Sequence, residues 1–446
     1  MKEYYHSVKL IESKCIGCTD CIKRCPTEAI RVRDGKAVII NERCIDCGVC
    51  IKVCRSYAKK ATTGSLSMIN RFSYRIALPA PTLYGQFKKI ADVNIILTAL
   101  KSLGFDDVFE VSLAAEMVTA ETARLLEEKA PKRPVISSAC PVIIRLISMR
   151  FPSLLHNILP LVSPMEVAAR LAKEYYRKQG IPEKDVGVFF ISPCAAKATY
   201  VVNPLGTQKS AVDGVLSMQD IYMPLRNAIS SLENIEPLSQ STDKGMDWAL
   251  RGGESRNIQV ENAIAVDGLE NVINILEEIE NGQINDVDFI EALACTGGCV
   301  GGPLALVNGF VAKNMIEKVE KATQAMPPEK KRVLPVSQED VSFDFDQEIK
   351  PTSVMKLDDD MATALQKMEQ IEEIFSMLPM IDCGSCGAPT CHALAEDIVR
   401  EAANIEDCVF MLRKKVNDLA EMMVDLSAKL PQTISQKRIR KKGGIS

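Results

Sequence analysis

The chain contains 446 residues, with 54 basic and 58 acidic side chains and a net charge of −4. This length predicts about three domains, and the near balance of charge argues against a nucleic-acid partner. No apolar run approaches the roughly 20 residues that span a bilayer, and the start of the chain does not resemble a signal peptide, so we expect a cytoplasmic protein without a membrane span.

Residues 1–65 are rich in cysteine and contain the motif C-x2-C-x2-C-x3-C twice. The first copy contains Cys15, Cys18, Cys21 and Cys25, and the second contains Cys44, Cys47, Cys50 and Cys54. Bacterial two-cluster ferredoxins have this spacing, and in them the fourth cysteine of each copy binds the cluster of the other copy. We therefore predict a ferredoxin-like domain with two 4Fe-4S clusters, in which Cys54 joins the first three cysteines and Cys25 the second three. Two zinc sites are the alternative, which the three close cysteines per copy disfavour.

Residues 71–325 alternate β-rich apolar runs with amphipathic segments, which predicts an α/β domain and makes the whole chain an α/β multidomain protein. The run at 186–191 predicts a buried strand. Ser163, Pro164 and Glu166 predict a helix start with a capping box, and the helix should reach about Gln179. Cysteines follow strand-like runs at three positions, Cys140, Cys194 and Cys295. Open α/β folds place their sites at such strand ends, so chemistry is expected here.

Residues 326–358 are rich in proline and charge and lack periodicity, which predicts a linker. Residues 359–430 should form a small iron–sulfur domain that opens with a helix from about 361 to 377. Its cysteines are Cys383, Cys386, Cys391 and Cys408, and their spacing resembles a single-cluster domain of corrinoid iron–sulfur proteins and redox-linked sensors. Thr390 should cap a helix from Cys391 to about Ala403. We interpret His392 as a surface residue, because four thiolates already complete the ligand set.

The segment after Cys408 carries apolar residues at alternating spacings of three and four. They are Val409, Leu412, Val416, Leu419, Met423, Leu426 and Leu430. This pattern predicts a heptad helix, which serves either in homodimerisation or a signalling contact, or in ordinary packing within the chain. Residues 431–446 form a basic tail that we expect to be solvated.

Three loops of the central domain resemble, in the same order, the signature loops of iron-only (di-iron) hydrogenases. They are Ser137-Ser138-Ala139-Cys140-Pro141, Ser192-Pro193-Cys194-Ala195-Ala196-Lys197, and the run from Glu291 to Gly302 that contains Cys295 and Cys299. Two further segments look like pocket segments of that family, Ala80-Pro81-Thr82 and Ser163-Pro164-Met165. The resemblance covers about residues 1 to 325.

The resemblance implies a site and its cofactors. Cys140, Cys194, Cys295 and Cys299 would bind a cubane, the fourth 4Fe-4S cluster of the chain. Cys299 would also bridge to a di-iron subcluster that carries carbonyl, cyanide and dithiolate ligands and is inserted by maturation proteins. Lys197 would donate a hydrogen bond to a cyanide ligand. The implied reactants are dihydrogen and protons, and the implied electron partner is a ferredoxin or another redox or signalling protein. The pocket would be lined by Ala80, Pro81, Thr82, Pro164, Met165, Pro193 and Leu293.

Several positions depart from the family pattern. Ala139 stands where the family has a proton-relaying cysteine, and a methyl group cannot carry a proton. Ser192 and Leu293 replace pocket methionines, and Tyr200 replaces a glutamate. In the acidic segment upstream, Thr122 and Leu125 replace acidic residues while Glu121 remains. These departures resemble those of sensory family members with an extra cluster domain, and they predict low turnover because acid–base relay contributes about 10²–10⁴-fold.

We therefore expect a slow, reversible hydrogenase that senses dihydrogen or redox state. One alternative is the catalytic subunit of an electron-transfer or bifurcating complex. The other is a structural or cluster-assembly iron–sulfur protein without hydrogenase activity, which the presence of Lys197 and Cys299 disfavours. Neutral substitutions in an ordinary hydrogenase would also explain the departures from the family pattern.

Overall fold

The computed structural model describes residues 5–128, 132–352, 354 and 356–429. The N-terminal domain contains two short helices and two antiparallel strand pairs. The helices are α1 (Asp20–Lys23) and α2 (Val49–Val53), and the strands are β1 (Val8–Leu10), β2 (Ile30–Arg33), β3 (Lys36–Ile39) and β4 (Lys59–Ala61). Strand β1 pairs with β4 and β2 with β3. Ile22 and Ile30 pack in the small core of this domain.

The central domain is built on two parallel sheets. Its strands are β5 (Tyr74–Pro79), β6 (Asp107–Val108), β7 (Val135–Ile136), β8 (Val186–Ser192), β9 (Gly214–Ser217), β10 (Ala263–Asp267) and β11 (Phe289–Leu293). One sheet has the order β6-β5-β8-β9 and the other β10-β11-β7. The α/β prediction is thus confirmed. Strand β8 is buried along its whole length, as expected for an apolar strand in a parallel sheet that is covered on both faces.

Helices cover these sheets. They are α3 (Val93–Ser102), α4 (Val111–Glu128), α5 (Pro141–Arg150), α6 (Pro164–Lys178), α7 (Ala195–Val202), α8 (Met218–Ser230), α9 (Asp243–Asp247), α10 (Gly253–Ile258), α11 (Leu269–Glu280) and α12 (Gly309–Gln324). Helix α6 occupies the predicted range, but the predicted capping box is wrong. The Ser163 hydroxyl makes no cap hydrogen bond, and the Glu166 carboxylate instead accepts hydrogen bonds from Ser210 Oγ and Ala211 N at 2.7 and 2.5 Å. These partners in a distant loop compete successfully with the local cap.

The segment predicted as a linker, residues 326–358, is packed along the central domain over much of its described part. Arg332 forms an ion pair with Asp107, and its guanidinium lies over the Tyr175 ring at 5.6 Å. Phe343 is buried, and the Phe345 N–H donates to Pro160 O at 3.0 Å. The connection between the two domains is therefore made by a docked segment of chain.

The C-terminal domain contains three helices, α13 (Met361–Met377), α14 (Cys391–Val399) and α15 (Val409–Ala428). Thr390 Oγ1 accepts a hydrogen bond from Ala393 N at 3.0 Å, so the predicted N-cap is confirmed. Helix α14 stops before the predicted Ala403, because Glu401 adopts a left-handed conformation with φ of 59°, a common helix-ending geometry. Every residue of α15 is exposed except Met411, which is half-buried against the core of this domain. Leu430 and the predicted basic tail, residues 431–446, lie outside the described residues.

Buried ion pairs attach the C-terminal domain to the N-terminal domain. Arg31 Nε lies 2.6 Å from Asp397 Oδ2, and Arg33 Nη2 lies 2.8 Å from the same oxygen. Arg43 pairs with Glu396 on the same helix, and Val32 N donates to Gly387 O at 2.8 Å. The last group of cysteines is therefore held against the ferredoxin-like domain. In the part of the chain that the structure describes, no helix is both long and apolar enough to cross a bilayer.

Candidate functional site

The four scattered cysteines of the central domain meet around one cavity. Cys140 follows β7, Cys194 follows β8 and Cys295 follows β11, while Cys299 comes from the turn after Gly297 and Gly298. Strands β7 and β11 are parallel neighbours, so their carboxyl ends lie at the same edge. All four cysteines line a mainly apolar cavity of about 110 Å³. The structure thus brings together the ligand set expected from the loop motifs.

Burial makes free thiols at this site hard to ionise. It raises the pKa of Cys194 to about 11 and that of Cys299 to about 12, and the neighbouring thiols act in the same direction. The pKa of Cys295 is also raised well above its usual value by burial. A bound metal stabilises thiolates directly, so four thiols that converge on one mainly apolar cavity fit an iron–sulfur cluster. They do not resemble a site for a free reactive thiol.

Lys197 extends into this cavity from α7. Its Nζ donates a hydrogen bond to Ala139 O at 3.2 Å and lies 5.9 Å from the centre of the Tyr200 ring. Burial lowers the pKa of Lys197, and the thiols of Cys194 and Cys299 oppose that shift. A half-buried ammonium next to four thiols supplies a donor for an anionic ligand.

Most residues predicted to line the pocket do so. The cavity walls include Ala80, Pro81, Thr82, Ala139, Pro164, Met165, Pro193 and Leu293. Ser192 is the exception, because it is fully buried and is not part of the wall. Its Oγ accepts a hydrogen bond from Cys194 N and donates one to Cys194 O, both at 3.0 Å. The Ser192 hydroxyl therefore shapes the cysteine loop behind the cavity wall.

The N-terminal cysteines are grouped in a way that is compatible with the predicted exchange of the fourth ligand. Cys15, Cys18 and Cys54 are close enough to Cys21 to raise the pKa of its thiol. Cys25, Cys44 and Cys50 do the same for Cys47. The second set also lines its own small cavity. Cys383, Cys386, Cys391 and Cys408 line another in the C-terminal domain. Each of the four groups of cysteines thus surrounds a cavity or shares close thiol contacts.

The second N-terminal set lies next to the central cavity. Cys47 and Val49 pack on the same hydrophobic cluster as Cys140 and Cys194. Lys52 Nζ donates to Gly301 O at 3.0 Å, in the loop that carries Cys299. This arrangement provides a short path between the ferredoxin-like domain and the central site.

Two buried carboxyl groups in the cavity wall were not singled out from the sequence. Glu254 on α10 accepts a hydrogen bond from Ser137 Oγ at 2.7 Å. Glu291 on β11 accepts from Gly252 N and Ser255 N at 2.8 and 2.9 Å. Burial, reinforced by repulsion from Glu291, raises the pKa of Glu254 to about 8, and burial raises that of Glu291. An acidic residue inside the apolar run Phe289–Leu293 was the available sequence signal for Glu291, whereas Glu254 had none.

Three residues of the acidic segment on α4, Glu121, Thr122 and Leu125, lie away from the cavity. Glu121 pairs with Arg124 at 2.5 Å, and this contact lowers the pKa of its carboxyl. The Thr122 hydroxyl donates to Val118 O within the helix, and Leu125 is buried in the hydrophobic core. None of the three is part of the cavity wall, so the carboxyl groups at the site are those of Glu254 and Glu291.

Comparison with known proteins gives matches to three domain families. The family described as "Iron only hydrogenase large subunit, C-terminal domain" matches residues 73–260 and 251–303. The family described as "4Fe-4S dicluster domain" matches residues 7–55. A third family, of an Fe-S cluster domain, matches residues 378–410.

Individual relatives are distant. Iron hydrogenase 1 of Clostridium pasteurianum is 26% identical over 254 residues, which are 46% of this chain and 44% of the relative, so the chain spans less than half of that protein. The cytosolic Fe-S cluster assembly factor nar1 of Aspergillus flavus is 27% identical over 36% of this chain and 28% of its own length. The solved apo FeFe-hydrogenase HydA1 of Chlamydomonas reinhardtii aligns with a TM-score of 0.44 and 18% identity, covering 60% of this chain and 87% of that one.

Proposed function

Since the chain belongs to the iron-only hydrogenase family, we propose that it slowly and reversibly interconverts dihydrogen with protons and electrons and thereby senses dihydrogen or redox state. The observation that carries this proposal is the convergence of four thiols, Lys197 and two protonatable carboxyl groups on one apolar cavity. When bound there, a cubane linked to a di-iron unit with carbonyl, cyanide and dithiolate ligands would supply the chemistry of dihydrogen.

The roles of the protein groups follow from their positions. Cys140, Cys194 and Cys295 would hold the cubane, and Cys299 would hold both parts of the cofactor. Lys197 would donate a hydrogen bond to a cyanide ligand. The apolar wall, which includes Pro81, Met165 and Pro193, would exclude water from the reacting centre.

Glu254 and Glu291 are proposed to carry protons in place of the missing cysteine at position 139. A proton carrier works best when its pKa lies near the working pH. The pKa of Glu254, raised by burial to about 8, meets this requirement. Ser137 Oγ bonds Glu254 and also accepts from Ala139 N at 3.3 Å, so this carboxyl lies beside the loop from which the family relay is lost. Proton transfer through Glu254 would give a hydrogenase activity that is low but not zero.

Electrons are proposed to enter and leave through the second N-terminal cluster, which Cys47 places against the central site. The first N-terminal cluster and the C-terminal cluster would extend this path to a ferredoxin or another redox partner. With all four cubanes, the chain would hold about 16 iron atoms, and maturation proteins would add two more.

Helix α15 is the proposed output element and binds a second copy of the chain. Its seam residues are exposed, including Val416 at 55% and Leu426 at 65%. Valine at the a positions 409 and 416 with leucine at the d positions 412, 419 and 426 favours a parallel two-stranded coiled coil. Because Cys408 immediately precedes the helix, a change at the last cluster would be passed into the dimer.

The activity is tested by measuring dihydrogen evolution and uptake with redox dyes, using protein reconstituted and matured without oxygen. We expect both directions to proceed, slowly, and to be absent in Cys299→Ser prepared in parallel. The similarity to a cluster assembly factor makes a role in cluster assembly the second candidate. Matured protein with a full iron content and no reaction in either direction would favour that second role. A firm complex with a flavin-bearing protein would instead favour a subunit of a larger hydrogenase.

A further inference from the structure

A second, smaller cavity lies behind Lys197, on the side of Ala139. Its wall includes Ser163, Tyr200, Leu205 and Phe345. It leaves about 10 Å³ for the centre of a water-sized sphere. A single bound water needs roughly 10–15 Å³ by this measure, so the cavity has the size of one water molecule.

Two hydroxyl groups at this cavity have no hydrogen-bond partner among the residues that the structure describes. Tyr200 is 3% exposed and Ser163 is 5% exposed. Among the described residues, none offers a hydrogen bond to Tyr200 Oη or Ser163 Oγ. Leaving a buried hydroxyl without a partner costs about 1–3 kcal/mol, and two such groups around one small cavity indicate a shared partner.

The local structure leaves the Ser163 hydroxyl without a capping role and places Tyr200 close to Lys197. Ser163 stands at the N-cap of α6 but makes no cap hydrogen bond, while Glu166, which would complete a capping box, is bound by Ser210 and Ala211. Tyr200 lies one turn after Lys197 on α7. Lys197 uses one N–H for Ala139 O, and an ammonium has three donors. The Lys197 ammonium can therefore donate a hydrogen bond to a further acceptor in this cavity.

The docked segment closes the cavity from outside. Phe345 lies in the wall, and its ring contacts Gly206 so closely that a Cβ there would come within 2.4 Å of it. Gly206 has φ of 75°, so this position suits glycine in both conformation and space. The ring separates the small cavity from the surface of the protein.

We infer that one water molecule binds in this cavity, held by Tyr200 Oη, Ser163 Oγ and Lys197 Nζ. Three hydrogen bonds are the usual number for a buried water. The water fixes the direction of the Lys197 ammonium from behind, so that its remaining donor points into the four-cysteine cavity. Tyr200 and Ser163 are thus positioning residues for Lys197; this consequence, unlike the water itself, depends on the proposed function.

The water is tested with the iron–sulfur protein before maturation. Tyr200→Phe and Ser163→Ala each remove one of its hydrogen bonds and should each lower the thermal midpoint by roughly 2–4 °C. The double variant should lose clearly less than the sum, since both changes act on the same water. Tyr222→Phe, whose ring stacks on Phe87 elsewhere, is the matched control and should leave the midpoint unchanged. Additive effects, or single variants that stabilise the protein, would overturn the inference, because removing an unpaired hydroxyl is favourable.

A crystal structure of the unaltered protein gives a test that does not depend on the variants folding. It should show one water peak within hydrogen-bond distance of both hydroxyls, and a dry cavity would overturn the inference. After maturation, Tyr200→Phe should shift the infrared bands of cyanide, and Tyr222→Phe should not. A water peak combined with unshifted cyanide bands would remove the positioning role and leave the water. A matured protein without any cyanide band would count against the proposed function alone.

Discussion

The cysteines of the C-terminal domain and those of the central domain lie among different neighbouring groups, and the pKa values of Cys383 and Cys299 differ accordingly. Hydrogen bonds from the backbone and hydroxyl of Ser385 lower the pKa of Cys383. Burial raises the pKa of Cys299 to about 12, and the wall of the central cavity also contains Lys197 and two buried carboxyl groups, whose pKa values burial raises. Under the proposed function, the C-terminal set would pass electrons, whereas the central set, with Lys197, Glu254 and Glu291 in the same cavity wall, would also handle protons. The two sets of four thiols would then serve different purposes because their neighbouring side chains differ.

The sharpest test of this contrast removes one cysteine from each set. Cys299→Ser should abolish dihydrogen evolution and uptake, because this thiolate would hold both parts of the catalytic cofactor. Cys383→Ser should lower the iron content by up to about four atoms and leave activity with artificial dyes nearly unchanged. Iron analysis and dye assays on both variants measure this, and equal loss of activity would mean that the two sets do not differ in purpose.

The next largest effect is expected at the buried carboxyl groups. Glu254→Gln keeps the shape of the side chain but cannot carry a proton, so turnover should fall by about 10²-fold. Glu121→Gln is the matched control, because Glu121 pairs with Arg124 away from the cavity. We expect the control to keep normal turnover and both variants to keep normal cluster spectra. If Glu121→Gln were the slower variant, the proton route would run along α4.

A gain of activity is expected when the family residue is restored. Ala139→Cys places a proton-carrying group in the cavity wall and should raise turnover by about tenfold, which is less than the roughly 10²–10⁴-fold of a complete acid–base relay. Thr122 and Leu125 should prevent full rescue, because neither supplies the acid that would feed the new thiol. Steady-state rates of the variant and of Ala139→Ser measure the effect, and no gain in either would place the limitation elsewhere.

The free energy of unfolding should depend on pH because the Glu254 carboxyl titrates differently in the folded and unfolded states. Its carboxyl keeps a proton to about pH 8 in the folded protein, against an ordinary value of 4.5. Between these values the folded state binds more protons than the unfolded state, so the free energy of unfolding falls as pH rises. The stabilisation is complete below pH 4.5 and is lost as the pH passes 8. From pH 6.5 to 8 the loss should be ~1–2 kcal/mol.

Thermal midpoints of the reconstituted protein over that pH range measure this loss. Glu254→Gln, which does not titrate, should flatten the dependence. An equally steep fall in this variant would assign the effect to another group.

The smallest effect on catalysis is expected at α15. A chain that ends just after Cys408 should keep its cluster spectra and its activity, since every residue of α15 but Met411 is exposed. Its mass by light scattering should be half that of the full chain if α15 pairs with a second copy. Equal association states, in both oxidised and reduced protein, would leave the heptads without a role in self-association.

The sequence was most informative where ligands lie close together. The crossed ligands Cys25 and Cys54 and the helix beginning at Cys391 follow from local spacing and capping, which depend on few other residues. The central site was located through loop motifs that follow buried strands. The sequence did not reveal Glu254, because a single acidic residue after two glycines belongs to no recognisable motif. Its importance becomes visible only in the fold, where Glu291 on β11 is a charged neighbour. The capping role of Ser163 was misjudged for a related reason, since tertiary contacts decide which partner a short hydroxyl side chain finds.

The infrared spectrum of the anaerobically matured protein tests the central claim most directly. The account predicts bands of metal-bound carbonyl and cyanide that change when dihydrogen is added and are absent from Cys299→Ser matured in the same way. Cys383→Ser should keep those bands. Protein with its full iron content but no carbonyl or cyanide bands after maturation would contradict the claim that the central cavity is a hydrogenase site.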